Sequence, residues 1–392
     1  MELSEKAKAL SAGNSAIRKS FEEGAEMAKK IGAENVFDFS LGNPCARVPA
    51  KVKESILRLV NECDGQYLHG YMKNAGYDEV REAVAEFLNR RYGMKYDAKN
   101  IVMTSGAAGG LNCIFRTFLD PDEEVVCFAP FFGEYKNYVS SAGGKLVAVP
   151  PDTNTFQPNL DLLDSYINEK TKIILLNNPN NPTGVIYSSE IFKKLQEKIN
   201  EAQKRIGHEI CVVSDEPYRE LAYDGNTVPY VPRYIKNCIV AYSFSKSLSL
   251  PGERIGYVAV PPDMPLEIIS ALIAVMRVGY VNAPSLFQLV VKDCLEERAD
   301  LEFYDVNRRC LYEGLTRLGF TCLKPQGAFY LFLKSPVPDE ADFVAEGKKH
   351  NILMIPGSAF GCSGYVRLAY CIPQDKVRRS LAAFAELAKK YF

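Results

Sequence analysis

The sequence predicts an α/β protein: a three-layer, mostly parallel sheet covered by helices, joined to a smaller α+β domain. Three observations carry this expectation. Short apolar runs fall at 101–103, 125–128, 146–149, 173–176, 210–213, 238–241 and 256–260, nearly continuous rather than alternating with polar residues. That is the pattern of strands buried on both faces. Helical stretches separate several of the runs, and the segments rich in Gly, Pro, Asn and Ser sit where the runs end. Ligands of parallel sheets bind at those carboxyl ends.

Taken in order, residues 1–32 read as an amphipathic helical arm with Phe21, Ala25, Met27 and Ala28 as its apolar contacts. Phe39-Ser40-Leu41-Gly42-Asn43-Pro44 is a turn, either a plain one or a tight backbone path beside a ligand. Residues 67–76 read as a polar and aromatic loop, and 77–92 as a helix with Val80, Val84, Phe87 and Leu88 on one face. After the core repeat, 261–300 is a helical connector and 301–318 a long helix. Apolar runs at 327–333, 352–357 and 365–370 then mix with a final helix over 373–391. The expected division is 1–48 as an arm and part of the small domain, 49–290 as the large domain, and 291–392 as the small domain. Internal repeats and low-complexity tracts are not evident.

Composition narrows the function. The 392 residues are 47% hydrophobic and 24% charged, ample for a core split between two domains. A formal net charge of -1 argues against a dedicated nucleic-acid surface. Apolar runs fall short of membrane-spanning length, and Met1-Glu2-Leu3-Ser4-Glu5-Lys6 does not open a secretory signal. The 11 cysteines form no Cys-x-x-Cys pair and several lie inside apolar runs, which reads as reduced thiols in a cytoplasmic protein. His69, His208 and His350 have no ligand spacing to a cysteine pair, so no metal site is expected.

The ends of the runs carry the chemistry. Met103-Thr104-Ser105-Gly106-Ala107-Ala108-Gly109-Gly110 offers backbone N–H groups at a helix start, for a phosphate or for close packing. Phe132, past the next run, stacks on a planar ring or is simply core. Asn177-Asn178-Pro179-Asn180-Asn181-Pro182-Thr183-Gly184 forms rigid turns that carry amides to a set place. Asp215 ends an apolar strand, where a carboxylate is costly unless paired; a protonated pyridine nitrogen would pair with it, and Tyr218 would donate to the same ring's oxygen. Finally, Ser243-Phe244-Ser245-Lys246 is followed eight positions on by Arg254 and then Ile255-Gly256. An amine among hydroxyls with a guanidinium suits an aldehyde cofactor held as a Schiff base together with its phosphate; a solvated loop is the alternative.

Asn-Pro-x-Asn-Pro-Thr-Gly, Asp-Glu-x-Tyr, Ser-x-Ser-Lys with its later arginine, and Arg367 within Gly-Tyr-Val-Arg-Leu-Ala-Tyr occur in one order between Gly42 and Arg367. In this the chain resembles the class I/II aminotransferases, fold type I of the pyridoxal-phosphate enzymes, and among them the aspartate aminotransferases. The resemblance implies pyridoxal 5'-phosphate as cofactor and Lys246 as its Schiff-base lysine. It implies phosphate contacts from Ser243, Ser245, Arg254 and the backbone of Ala107 and Ala108. Phe132 resembles the stacking aromatic, Asn181 and Tyr218 the donors to the ring oxygen, and Asp215 the partner of the ring nitrogen. Arg367 resembles the clamp on the substrate α-carboxylate, with Gly42 and Asn181 beside it. Tyr71, with Tyr67 as rival, resembles the tyrosine that reaches the phosphate across a homodimer interface.

The implied reaction moves an amino group from an L-amino acid to a 2-oxo acid, with Lys246 carrying the proton and ping-pong kinetics. Arg277, in Arg277-Val278-Gly279-Tyr280-Val281-Asn282-Ala283-Pro284, resembles an arginine that binds a substrate side-chain carboxylate from the other subunit; Gly279 and Ala283 depart from that pattern. Lys73 is a second candidate cation. Aspartate with 2-oxoglutarate is the leading substrate pair. Alanine or an aromatic amino acid, or β-lyase chemistry on a cysteine conjugate, is the alternative. A purely regulatory domain is disfavoured by Lys246 and by the absence of a basic helix-turn-helix pattern.

Overall fold

Alternation along the strands decides how the layers form, because successive side chains of a strand point to opposite faces. In Glu124–Phe128, Val125 and Cys127 join one apolar cluster while Val126 and Phe128 join another. In the computed structural model, which describes residues 2–12 and 16–392, all of the expected core runs are strands of one sheet. Their spatial order is Ile101–Thr104, Gly256–Ala259, Cys238–Ser243, Cys211–Asp215, Thr171–Asn177, Glu124–Phe128 and Lys145–Val149. Gly256–Ala259 runs antiparallel to both neighbours, and the remaining pairings are parallel.

Helices cover both faces. Gly106–Phe118 and Leu266–Tyr280 pack on the Val125 side. Ser189–Ile206, Asp78–Tyr92 and Ser285–Asp293 pack on the other. Ser189–Ile206 shows why such a segment is helical. The Ser188 hydroxyl accepts from the Ile191 N–H at 3.2 Å, Gly207 ends the helix with φ 80°, and Phe192, Leu195 and Ile199 share the buried face. Each of those three side chains contributes about 1.5–3 kcal/mol through burial.

The smaller region is an antiparallel sheet in the order Ile355–Pro356, Tyr365–Ala369, Tyr330–Lys334, packed by Leu301–Arg317, Glu340–Lys349 and Gln374–Ala388. Phe37–Asp38 pairs in parallel with Ile352–Leu353, so the chain's early segment is stitched into this region.

Three local expectations are corrected. The arm is two helices, Glu5–Ala12 and Ala16–Ile31, and Phe21 and Ala25 are exposed rather than packed. Its close-packed side is Ser20 and Gly24, because a Cβ at Gly24 would lie 2.7 Å from Leu353 Cδ1. The loop expected over 67–76 begins inside a short helix, Gly65–His69, whose first N–H groups are capped by the Asp64 carboxylate at 2.9 and 3.0 Å. The strand expected over 327–333 starts only at Tyr330, since Ala328 turns at φ 55° to donate its N–H to the Leu221 carbonyl.

Candidate functional site

The carboxyl edge of the sheet opens onto a cavity of about 910 Å³. Sheet register alone brings Asn177 opposite Asp215, and Ser243 opposite Gly256, which Arg254 precedes by two residues. The turn Phe244–Ser247 then projects Lys246 into the cavity, the Ser243 hydroxyl accepting from the Ser245 N–H at 3.2 Å and donating to the Ser245 hydroxyl at 2.8 Å. Lys246 Nζ donates to the Gly42 carbonyl at 2.8 Å. A Cβ at Gly42 would lie 2.2 Å from the Tyr330 hydroxyl, so any side chain there would displace the tyrosine.

Arg254 reaches the start of helix Gly106–Phe118, where Ala107 and Ala108 line the cavity. Gly106 sits at φ 67°, and a Cβ on it would lie 2.8 Å from Arg254 Nη2. The guanidinium and the positive end of the helix therefore converge on one spot with Ser243 and Ser245, a ready anion site.

Two side-chain oxygens of the Asn/Pro turn fold it back on itself. Asn177 Oδ1 accepts from the Asn181 N–H at 2.7 Å, and Asn180 Oδ1 accepts from the Thr183 hydroxyl at 2.7 Å. Asn181 is thereby held with Nδ2 3.5 Å from the Tyr218 hydroxyl and Oδ1 accepting from Arg367 Nη1 at 3.1 Å. Arg367 also donates to the Ser40 carbonyl, and its guanidinium lies between the rings of Tyr330 and Phe360, 4.7 and 4.8 Å from their centres. Its Nε has no partner among the described residues.

Electrostatics sharpen the picture. Burial lowers the Lys246 ammonium to about 8, and the charges of Arg254 and Arg367 push the same way against an opposing contribution from Cys371. Burial pushes the Asp215 carboxyl up to about 7; a hydrogen bond from Tyr135 resists this and the neighbouring Glu216 charge adds to it. Asp215 Oδ1 is buried and has no partner among the described residues. Burial holds the Tyr218 phenol well above its ordinary value and lowers the Arg367 guanidinium.

Of the residues singled out in the sequence, Gly42, Ala107, Ala108, Phe132, Asn181 and Asp215 line this cavity. So do Tyr218, Ser243, Ser245, Lys246, Arg254 and Arg367. Tyr71 and Arg277 do not line it; both are exposed, Tyr71 at 94%. Lys73 pairs with Asp78, and Tyr67 donates to Glu79 at 2.5 Å. Two further tyrosines join the site from outside the sequence motifs. Tyr135 donates to Asp215 Oδ2 at 2.5 Å, and the Tyr330 hydroxyl lies 2.8 Å from that of Tyr218. Tyr135 stands three residues after Phe132, where the helix Tyr135–Ser141 begins, a spacing that could have flagged it; Tyr330 meets its partner only through the tertiary fold. The cavity mouth is edged by Leu10, Ile17, Phe21 and Leu41 of the early chain, with Arg18 among them. Among the described residues, no helix is long and apolar enough to cross a membrane.

Comparison with known proteins agrees with this arrangement. The family model for aminotransferase class I and II matches residues 34–384. The aspartate/prephenate aminotransferase of Thermus thermophilus is 30% identical over 88% of this chain and 89% of that protein. The aspartate aminotransferase of Bacillus subtilis is 30% identical over 92% of this chain and 93% of that one. The crystal structure of an amino transferase from Eubacterium rectale superposes with a TM-score of 0.97 at 44% identity, covering 100% of this chain and 99% of that one. The Thermus thermophilus aspartate aminotransferase with maleate superposes with a TM-score of 0.88 at 27% identity, covering 99% and 100%. A mostly parallel sheet with this carboxyl-edge cavity, and a family match over nearly the whole chain, make it a member of the class I and II aminotransferases, enzymes that use pyridoxal phosphate.

Proposed function

We propose that this cavity holds pyridoxal phosphate on Lys246 and transfers the amino group of an L-amino acid to a 2-oxo acid. The observation that carries the reading is the orphaned, buried Oδ1 of Asp215, a residue that lines the same cavity as a lysine whose ammonium is lowered to about 8. The residues fit the cofactor: an acceptor for a ring N–H, donors for a ring oxygen, an aromatic face at Phe132 and an anion site at the helix start. When bound, the cofactor supplies an aldehyde that takes up an amine and a ring that takes up electrons.

The chain's own side chains do the remaining work. Arg254, Ser243, Ser245 and the N–H groups at Ala107 and Ala108 would anchor the phosphate. Asp215 would accept from the ring nitrogen through Oδ1, and Asn181 and Tyr218 would donate to the ring oxygen. Arg367, steered by Asn181 and the Ser40 carbonyl, clamps the α-carboxylate; its unpartnered Nε leaves a donor for it. That places the amino acid's Cα–H beside Lys246. An amine lowered to about 8 is partly neutral near pH 7.5, so it can take that proton and hand it back.

For substrate, aspartate with 2-oxoglutarate leads, supported by relatives named aspartate aminotransferase. Arg277 would serve the second carboxylate from another copy of the chain, as Tyr71 would serve the phosphate, in a homodimer with shared sites. An aromatic amino acid is the second reading, favoured by the apolar edge of Leu10, Ile17, Phe21 and Leu41 at the mouth. The same reading takes residues 1–48 with 291–392 as the small domain, 49–290 as the large one, and a cytoplasmic protein with free thiols.

The test is a panel of amino acids presented one at a time to purified protein loaded with pyridoxal phosphate. Loss of the visible cofactor band and release of glutamate from 2-oxoglutarate are expected with at least one dicarboxylic or aromatic amino acid. Lys246→Ala is expected to abolish turnover. Full activity in that variant, or release of pyruvate, ammonia and thiol in place of transfer, defeats the proposal.

A further inference from the structure

We propose that Tyr135 is a positioning residue for the reaction: its hydroxyl holds one oxygen of Asp215 so that the other faces the cofactor's ring nitrogen as an ionised acceptor. The inference rests on the Asp215 role given above.

Asp215 sits at the end of a strand buried along its whole length. Three influences act on its carboxyl: burial, the Tyr135 hydrogen bond and the charge of Glu216. Burial and Glu216 both oppose ionisation, so the Tyr135 hydroxyl is the only one of them that favours the carboxylate. It does so at 2.5 Å, a short hydrogen bond of the kind made to a charged oxygen.

A neutral donor suits the task better than a cation would. A lysine or arginine here would ionise Asp215 but would also repel a protonated ring nitrogen across the same carboxylate. A phenol supplies the hydrogen bond with no net charge. It also keeps its proton, since burial, followed by the charge of Asp215, raises it well above the ordinary tyrosine value. The nearby phenols of Tyr218 and Tyr138 add to that effect.

Geometry separates the two oxygens of Asp215. Asp215 lines the cavity and Tyr135 does not, so the tyrosine acts from behind the carboxylate. Its ring is fully buried, standing edge-on to Phe132 with centres 5.5 Å apart and planes at 88°. Phe132 does line the cavity. One aromatic pair therefore sets both the expected stacking face and the orientation of the carboxylate. The oxygen left without a partner among the described residues is Oδ1, the one Tyr135 does not hold.

The test uses the full chain loaded with pyridoxal phosphate labelled with ¹⁵N in the ring, in wild type, Tyr135→Phe, Tyr135→His and Asp215→Ala. The readouts are the ring-nitrogen chemical shift and the cofactor dissociation constant. Losing a hydrogen bond to a charged group is expected to weaken cofactor binding roughly tenfold in Tyr135→Phe. The ring nitrogen is expected to move toward its unprotonated position. Tyr135→His retains a ring N–H donor and is expected to recover part of both effects. In an Asp215→Ala background, Tyr135→Phe is expected to add nothing.

If Asp215→Ala leaves the ring nitrogen unchanged, the Asp215 role falls and this inference with it. If Asp215→Ala shifts the resonance but neither Tyr135 variant does, the inference alone is overturned. A Tyr135→Phe protein that melts earlier yet keeps a wild-type resonance and dissociation constant overturns it equally, because a merely structural tyrosine would behave that way.

Discussion

Replacing Asp215 by asparagine should stabilise the cofactor-free protein, and the gain should grow with pH. The carboxyl titrates near 7 in the fold and near 3.8 when unfolded, because burial disfavours its charge. Between those values the native state holds a proton that the unfolded state has released, so stability falls as pH rises from 3.8 to 7. The penalty is absent below 3.8 and complete above 7. Its size is the shift times 1.36 kcal/mol per pH unit, about 4 kcal/mol in total and about 1.6 kcal/mol at pH 5. Asparagine escapes this penalty, since it has no charge to bury and keeps a carbonyl for Tyr135. The unfolding free energy of Asp215→Asn relative to wild type should therefore improve by about 3 kcal/mol between pH 5 and 8.5. Lys246 also titrates near 8, but it is common to both proteins and cancels in the difference to first order. Urea unfolding of cofactor-free samples, followed by circular dichroism at the two pH values, reads the effect directly. Added pyridoxal phosphate should reverse the order, stabilising wild type far more than the variant. Identical pH dependence in the two proteins would refute the claim that Asp215 carries a buried, uncompensated charge.

Other outcomes follow from single contacts. Gly42→Ala places a methyl 2.2 Å from the Tyr330 hydroxyl and should cost roughly 1–3 kcal/mol of stability. It should also raise KM for the amino acid, with partial recovery on adding Tyr330→Phe, as thermal melts and steady-state kinetics would check. Arg219→Ala removes the ion pair that Arg219 makes with Glu216 at 3.0 Å, where both side chains are 1% exposed. Stranding that carboxylate should cost about 3–5 kcal/mol by denaturant unfolding.

Much of this was written in the sequence because it depends on short spans. The seven core strands are legible since a strand buried on both faces must be apolar almost throughout. Lys246, Arg254, Asn181 and Asp215 are legible because each lies within a few residues of a strand end, where a polar residue type at a set spacing has no packing reason to exist. The arm was less legible: its buried side is Ser20 and Gly24, small residues that a search for apolar periodicity passes over, while Phe21 points to the cavity mouth.

Chain order and residue type by themselves determined the sheet, its helical layers and the identity of the charged groups at its edge. Only the tertiary structure decided which oxygen of Asp215 is held and which is left open, what a side chain at Gly42 would strike, and that Tyr330 meets the Tyr218 hydroxyl while its own ring lies against Arg367. These contacts join residues 37 to 288 positions apart, between Tyr330 and Arg367 at the near end and Gly42 and Tyr330 at the far end. Local propensity acts over a few residues, so it cannot select partners at such separations. The packing of one layer against another does, and the chemistry of the site is set there.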